Sequence, residues 1–165
     1  MAQISLKGNP FQTNGELPAT GAAAPAFTLV AADLSEKTLA DFKGKKKILT
    51  INPSFDTPVC AKGARTFNER AANLDGVAVL AISADLPFAQ KRFCSAEGIE
   101  GIVPLSTYRS SFLADYGVQI TGGPLQGLAA RAIVVIDEND QVTYTELVPE
   151  IGQEPDYEKA LSQVS

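Results

Sequence analysis

The chain has no histidine. That removes the base of Ser-His-Asp and Cys-His hydrolases, and the usual ligand of zinc and haem sites, so no metal and no cofactor is expected. Cysteine is scarce as well: Cys60 and Cys94 are the two present. They are far too distant in sequence to form a C-x-x-C redox pair. Two such residues in a cytosolic chain are either inert core side chains or a transient catalytic pair. No apolar run approaches the ~20 residues of a membrane helix, so no membrane association is expected. Met1 to Asn9 lacks the apolar segment of a signal peptide, which leaves a cytoplasmic location as the expectation. Positive charge is also sparse, with 14 basic against 19 acidic residues and a net charge of −5. Nucleic acid is therefore not an expected partner, because phosphate neutralisation needs a clustered basic surface. The one basic block, Lys45-Lys46-Lys47, reads as a solvated strand entrance.

What is present fits one α/β domain over residues 1–165, with 1–17 as an N-terminal hairpin extension. Ile4 and Leu6 alternate with polar residues ahead of the turn Lys7-Gly8-Asn9-Pro10, and Asn14-Gly15 supplies a second turn. Pro18 to Ala26 reads as an irregular connector, Phe27 to Ala31 as a short strand, and Ser35 to Phe42 as one or two helical turns. Ile48 to Ile51 and Val77 to Ile82 read as buried strands. Between them, Asp56-Thr57-Pro58 is a helix start, with a capping side chain followed by proline where its missing N–H is harmless. The stripe Cys60, Ala64, Phe67, Ala71 and Leu74 follows at helical spacing and stops at Gly76. A second helix is expected from Asp85 and Pro87 to Gly98 with Ala89, Phe93 and Ala96 on one face, and a third from Arg109 to Tyr116. Ala132 to Ile136 and Val142 to Leu147 read as a hairpin around Asp137 to Asp140, and Asp156 to Val164 as a closing helix. This order predicts a central mixed sheet flanked by helices.

Cys60 falls in the first turn of its helix. Helix N-termini carry partial positive charge and free N–H donors, an environment that favours a thiolate nucleophile. Thr57, three residues earlier, is within reach of the sulfur if that turn is helical, and Pro53 sits at the strand end where it would shield the site from water. The competing reading is a buried core cysteine, since Cys60 lies on the apolar stripe. Taken alone, Cys94 reads as a core or boundary cysteine, and Arg131, at a strand mouth, as a solvated charge. Arg109 and Arg92 read as surface charges.

The run Pro53-Ser54-Phe55-Asp56-Thr57-Pro58-Val59-Cys60 matches the peroxiredoxin active-site pattern P-x-x-x-T-x-x-C without a gap. With Asp before Thr and Val before Cys, it resembles the bacterial thiol peroxidase subfamily of atypical two-cysteine peroxiredoxins. The resemblance spans essentially the whole chain, including the opening hairpin, Asp137-Glu-Asn-Asp140 and Glu146-Leu-Val-Pro-Glu-Ile. There are two departures: Phe55 stands where an aliphatic residue is more usual, and Ala26 where an acidic residue is common.

The resemblance implies a thioredoxin-like fold and a thiol-dependent peroxidase acting on hydrogen peroxide and organic hydroperoxides. It assigns Cys60 as the peroxidatic and Cys94 as the resolving cysteine, with Arg131 beside the peroxidatic sulfur. It also implies an intramolecular disulfide, thioredoxin as reductant, and a homodimer. Two rival readings remain at this stage. One is a thioredoxin-fold sensor oxidised without efficient turnover; the other is a structural protein with two inert cysteines.

Overall fold

The computed structural model describes residues 1–71 and 73–165. Strands β1 (Gln3–Leu6) and β2 (Asn9–Gln12) form the expected N-terminal hairpin as a separate two-stranded sheet. Its turn places Lys7 and Gly8 both at positive φ, the primed geometry that matches strand twist. Residues 18–26 form neither helix nor regular strand.

The main sheet has seven strands: β3 (Thr28–Ala31), β4 (Glu36–Thr38), β5 (Lys46–Ile51), β6 (Val77–Ser83), β7 (Val103–Ser106), β8 (Ala132–Ile136) and β9 (Val142–Leu147). Their spatial order is β4-β3-β7-β6-β5-β8-β9. The inner trio β7-β6-β5 is parallel, and antiparallel pairs flank it on both sides. Helices α1 (Pro58–Arg70), α2 (Pro87–Glu97) and α4 (Tyr157–Ser162) join it, together with the single-turn α3 (Phe112–Asp115).

Alternation along the central strands divides the core in two. Leu49, Ile51, Leu80, Ile82, Ala132 and Val134 face one apolar cluster, shared with Ile4, Phe112 and Tyr116. Ile48, Val79, Ala81, Ile133 and Val135 face the other, built with Phe67 from α1, Cys94 from α2 and Leu161 from α4. Both faces are covered, so β5, β6 and β8 read as nearly continuous apolar runs.

Several expectations need correction. Residues 35–42 are not helical throughout. Glu36–Thr38 pairs antiparallel with β3, and only Leu39–Phe42 turns, as a 3-10 segment whose N-cap Thr38 donates its backbone N–H to the Asp41 carboxylate. The third helix is confined to four residues. Leu74 lies beyond α1 and is exposed. The buried face of α2 is Pro87, Gln90 and Cys94 rather than Ala89, Phe93 and Ala96, because the Gln90 amide finds partners inside. Lys47 is no solvated charge: it is fully buried at the start of β5, and its ammonium pairs with Asp140 in the β8–β9 turn. β7 had no counterpart in the sequence reading.

Candidate active site

Cys60 is positioned by the end of β5 and the start of α1. The loop 52–57 leaves β5 with the Asn52 amide donating to the Ile82 carbonyl and its side-chain amide to the Thr50 carbonyl. Pro53 is buried there. Thr57 is the N-cap of α1, in extended conformation, and Pro58 fills the first helical position. The Thr57 hydroxyl accepts the Cys60 N–H at 3.3 Å and donates its own proton to the Ser54 carbonyl at 3.0 Å. Cys60 is 1% exposed and its thiol is free.

Arg131 precedes β8. The antiparallel register pairs Ile51 with Ala132, so Arg131 falls just past the end of β5, level with the first turn of α1. It is 3% exposed. Its guanidinium is divided between two acceptors: Nη1 donates to Cys60 Sγ at 2.8 Å, and Nε donates to the Ile151 carbonyl at 2.9 Å. A buried guanidinium needs such partners, since isolated charge in an apolar interior is strongly disfavoured. The solvated-charge reading of Arg131 therefore fails on geometry. Arg109 and Arg92 are exposed, and Arg109 lies 3.7 Å from Glu36.

The structure thus brings Cys60, Thr57 and Arg131 together, with Pro53 in the same loop. Cys94 stands apart on the buried face of α2, also as a free thiol. Burial pushes its pKa up to about 11, so this thiol is neutral at physiological pH.

Three contributions had no counterpart in the sequence reading. The Ile151 carbonyl holds Arg131, and its segment is itself held by the N-terminal hairpin. Ile151 N–H donates to the Ser5 carbonyl, Ser5 N–H to the Pro149 carbonyl, and the Glu150 carboxylate accepts from Ser5 Oγ and the Lys7 amide. Tyr157 of α4 packs edge-on against Phe67 and donates to Glu154. Burial holds its hydroxyl above the ordinary phenol range, with Glu154 adding to the shift; Arg131 and Cys60 also act on it, with opposite signs. Asp85 receives hydrogen bonds from the loop itself, through Ser54 Oγ and the Phe55 amide. No spacing rule links these residues to Cys60; only the tertiary fold does. Among the described residues, no group of three or more His, Cys, Asp or Glu side chains is arranged to hold a metal ion.

Comparison with known proteins shows the family of the chain. The family model described as Redoxin matches residues 19–161. A thiol peroxidase of Mycobacterium tuberculosis is 60% identical over 162 residues, covering 98% of each chain. Among solved structures, a peroxiredoxin-like protein from Aquifex aeolicus superposes with a TM-score of 0.94 at 40% identity, covering 99% of this chain and 96% of that one. A thiol peroxidase from Chromobacterium violaceum, at 24% identity, shares the fold with a TM-score of 0.86 over 98% of this chain and 95% of that one. With a family match over most of its length and a relative this similar end to end, the chain belongs to the redoxin family and, within it, to the thiol peroxidases.

Proposed function

We propose that the protein is a thiol-dependent peroxidase in which Cys60 is the peroxidatic and Cys94 the resolving cysteine. The observation that carries this reading is the hydrogen bond from the buried Arg131 guanidinium to Cys60 Sγ at the first turn of α1. A cation that never deprotonates, aimed at a sulfur on a helix N-terminus, suits an anionic nucleophile.

In the first step the Cys60 thiolate attacks one oxygen of ROOH. An S–O bond forms and the O–O bond breaks; sulfur loses two electrons, and RO⁻ leaves and takes a proton from solvent. The products are Cys60 sulfenic acid and an alcohol, or water when R is hydrogen. Arg131 stabilises the charge moving from sulfur onto oxygen. Pro58 has no N–H and the Cys60 amide is engaged by Thr57, which leaves the Val59 amide as the first-turn donor for a peroxide oxygen. Thr57 holds the turn in shape and Pro53 limits water. In the second step the Cys94 thiol attacks the sulfenic sulfur, releasing water and closing a disulfide. A thioredoxin-type dithiol then returns two electrons by thiol–disulfide exchange.

The neutral Cys94 thiol is a weak nucleophile where it sits, so resolution requires movement. α2 is seated over β6 and β7 through Gln90, whereas Cys60 Sγ is held toward the mouth of β8. The two thiols are thus free, buried and held on different helices. A disulfide needs Cα atoms within ~4.4–6.8 Å, hence the first turn of α1, α2 or both must open locally. A cysteine pair reduced after each turnover suits a reducing compartment, which supports a cytoplasmic location. Homodimerisation is carried over from the family, and analytical ultracentrifugation reads it directly.

Steady-state assay with a thioredoxin system and hydrogen peroxide or cumene hydroperoxide tests the reading. The wild type should turn over continuously, and Cys60→Ser should abolish turnover without loss of fold. Stoichiometric oxidation without turnover would return the chain to the sensor reading.

A further inference from the structure

We propose that Asp85 is a latch holding the Cys60 loop against the base of the Cys94 helix, and that its release sets how fast the disulfide closes. The proposal rests on the peroxidase reading above.

Asp85 lies in the turn between β6 and α2, where Leu86 rather than Asp85 takes the N-cap position. Its carboxylate is spent elsewhere. Oδ1 accepts from Ser54 Oγ at 2.8 Å, and Oδ2 accepts from the Phe55 amide at 2.8 Å and from Ser83 Oγ at 2.7 Å. Ser83 is fully buried, and its hydroxyl oxygen also accepts from Gln90 Nε2, which donates in addition to the Leu105 carbonyl. One continuous chain of hydrogen bonds thus runs from the loop through Asp85 and Ser83 to the buried face of α2, one turn before Cys94. A carboxylate accepting from a backbone amide and two hydroxyls makes stronger bonds than neutral partners would.

An apolar contact runs beside it. The Phe55 and Phe93 rings meet at 5.2 Å, tilted 31° to each other. Phe93 is the neighbour of Cys94. Two consecutive loop residues, Ser54 and Phe55, are therefore tied to the turn before α2 and to Phe93 within it, just upstream of Thr57 and Cys60.

A path to the disulfide that loosens the base of α2 has to break this tie. The peroxide step needs the closed arrangement of Thr57, Cys60 and Arg131, while the disulfide step needs the open one. Weakening the latch should move the two steps in opposite directions, which a general loss of stability would not do. The sulfenic acid would also be shorter-lived, leaving less time for a second peroxide to oxidise it to sulfinic acid, a step that transfers one more oxygen to sulfur and releases a second water.

The test is rapid mixing of reduced wild type, Asp85→Asn and Ser54→Ala with hydrogen peroxide. The two kinetic phases are followed, and disulfide and sulfinic products are quantified by mass spectrometry. Asn offers one acceptor oxygen in place of two, and Ser54→Ala removes the loop hydroxyl alone, so the second variant carries the test if the first does not fold. The disulfide step should accelerate about tenfold or more in Asp85→Asn, the change that losing one hydrogen bond to a charged group makes in an opening equilibrium. Ser54→Ala should shift the same way by less, with the peroxide step slower and the sulfinic fraction lower in both. A disulfide step unchanged or slower in both variants overturns the latch while leaving the peroxidase reading intact. A wild type that forms no Cys60–Cys94 bond overturns that reading and the latch with it.

Discussion

Replacing Arg131 with methionine keeps much of the side-chain volume and removes both donors. Two losses follow from the geometry. The first is the 2.8 Å contact to Cys60 Sγ. A hydrogen bond to a charged group is worth about 1.5–3 kcal/mol, which corresponds to roughly ten- to a hundredfold in rate. Arg131 already holds the sulfur before peroxide arrives, and only stabilisation gained between that state and the transition state accelerates the step. The expected loss therefore lies nearer tenfold than a hundredfold. The second loss is the 2.9 Å bond to the Ile151 carbonyl, which would be left buried and unpaired. That costs about 1–3 kcal/mol of stability, and each kcal/mol lowers Tm by about 2–4 °C in a chain of this size. Arg131→Lys should fall between wild type and Arg131→Met in both measures, because one ammonium serves either Ile151 or Cys60 in place of the divided guanidinium. Rapid-mixing oxidation by hydrogen peroxide and thermal unfolding separate the two effects. An Arg131→Met protein that melts lower but oxidises at the wild-type rate would refute the assignment of Arg131 to the reaction and leave it a structural cation.

Three further outcomes are expected. Asp140→Ala should destabilise the protein more than Lys47→Met in chemical denaturation, because the first leaves a fully buried ammonium unpaired, whereas the second leaves a carboxylate that is 40% exposed and can hydrate; the reverse order would contradict this. In a Cys60→Ser background, alkylation of Cys94 should rise only as pH approaches about 11, and stability should fall as pH climbs from the ordinary thiol range to that value, since the unfolded chain gives up the proton first; an alkylation midpoint near ~8.5 would show the thiol to be hydrated. Hydrogen bonds from Ser5 and the Lys7 amide hold the Glu150 carboxyl below the ordinary carboxylate range, so the hairpin anchorage is present at neutral pH and lost on acidification through the lowered pKa, read as earlier amide exchange in residues 3–12 of wild type but not of Glu150→Gln.

Much of the frame was legible because its signals are local. The Thr57 cap, Pro58 at the first helical position and the apolar runs of β5, β6 and β8 each follow from neighbours in sequence. Legibility failed where a distant partner decides. Pro104 argues against a strand, yet β7 accepts it because it lies outside the short overlap of Leu105 and Ser106 with β3. Glu36–Thr38 has no apolar alternation because it is an edge strand, paired on one side only. Gln90 and Lys47 look like surface residues and are buried because Ser83, Leu105 and Asp140 wait for them. At the site, Cys60 and Thr57 were readable from helix-start chemistry, and Pro53 from its place at the strand end. Arg131 and Cys94 were separable from ordinary residues only through resemblance, since no local pattern announces that a strand register will set a guanidinium beside a sulfur.

The central claim is a division of labour between two cysteines, and one measurement addresses it most directly. Reduced protein is treated with one equivalent of hydrogen peroxide in the presence of a sulfenic-acid trap, for wild type and Cys94→Ser, and the peptides are read by mass spectrometry without reduction. The account predicts a Cys60–Cys94 bond within single wild-type chains, and a trapped sulfenic acid on Cys60 alone in Cys94→Ser. Oxidation arriving first at Cys94, or a Cys60 that stays reduced while peroxide is consumed, would contradict it.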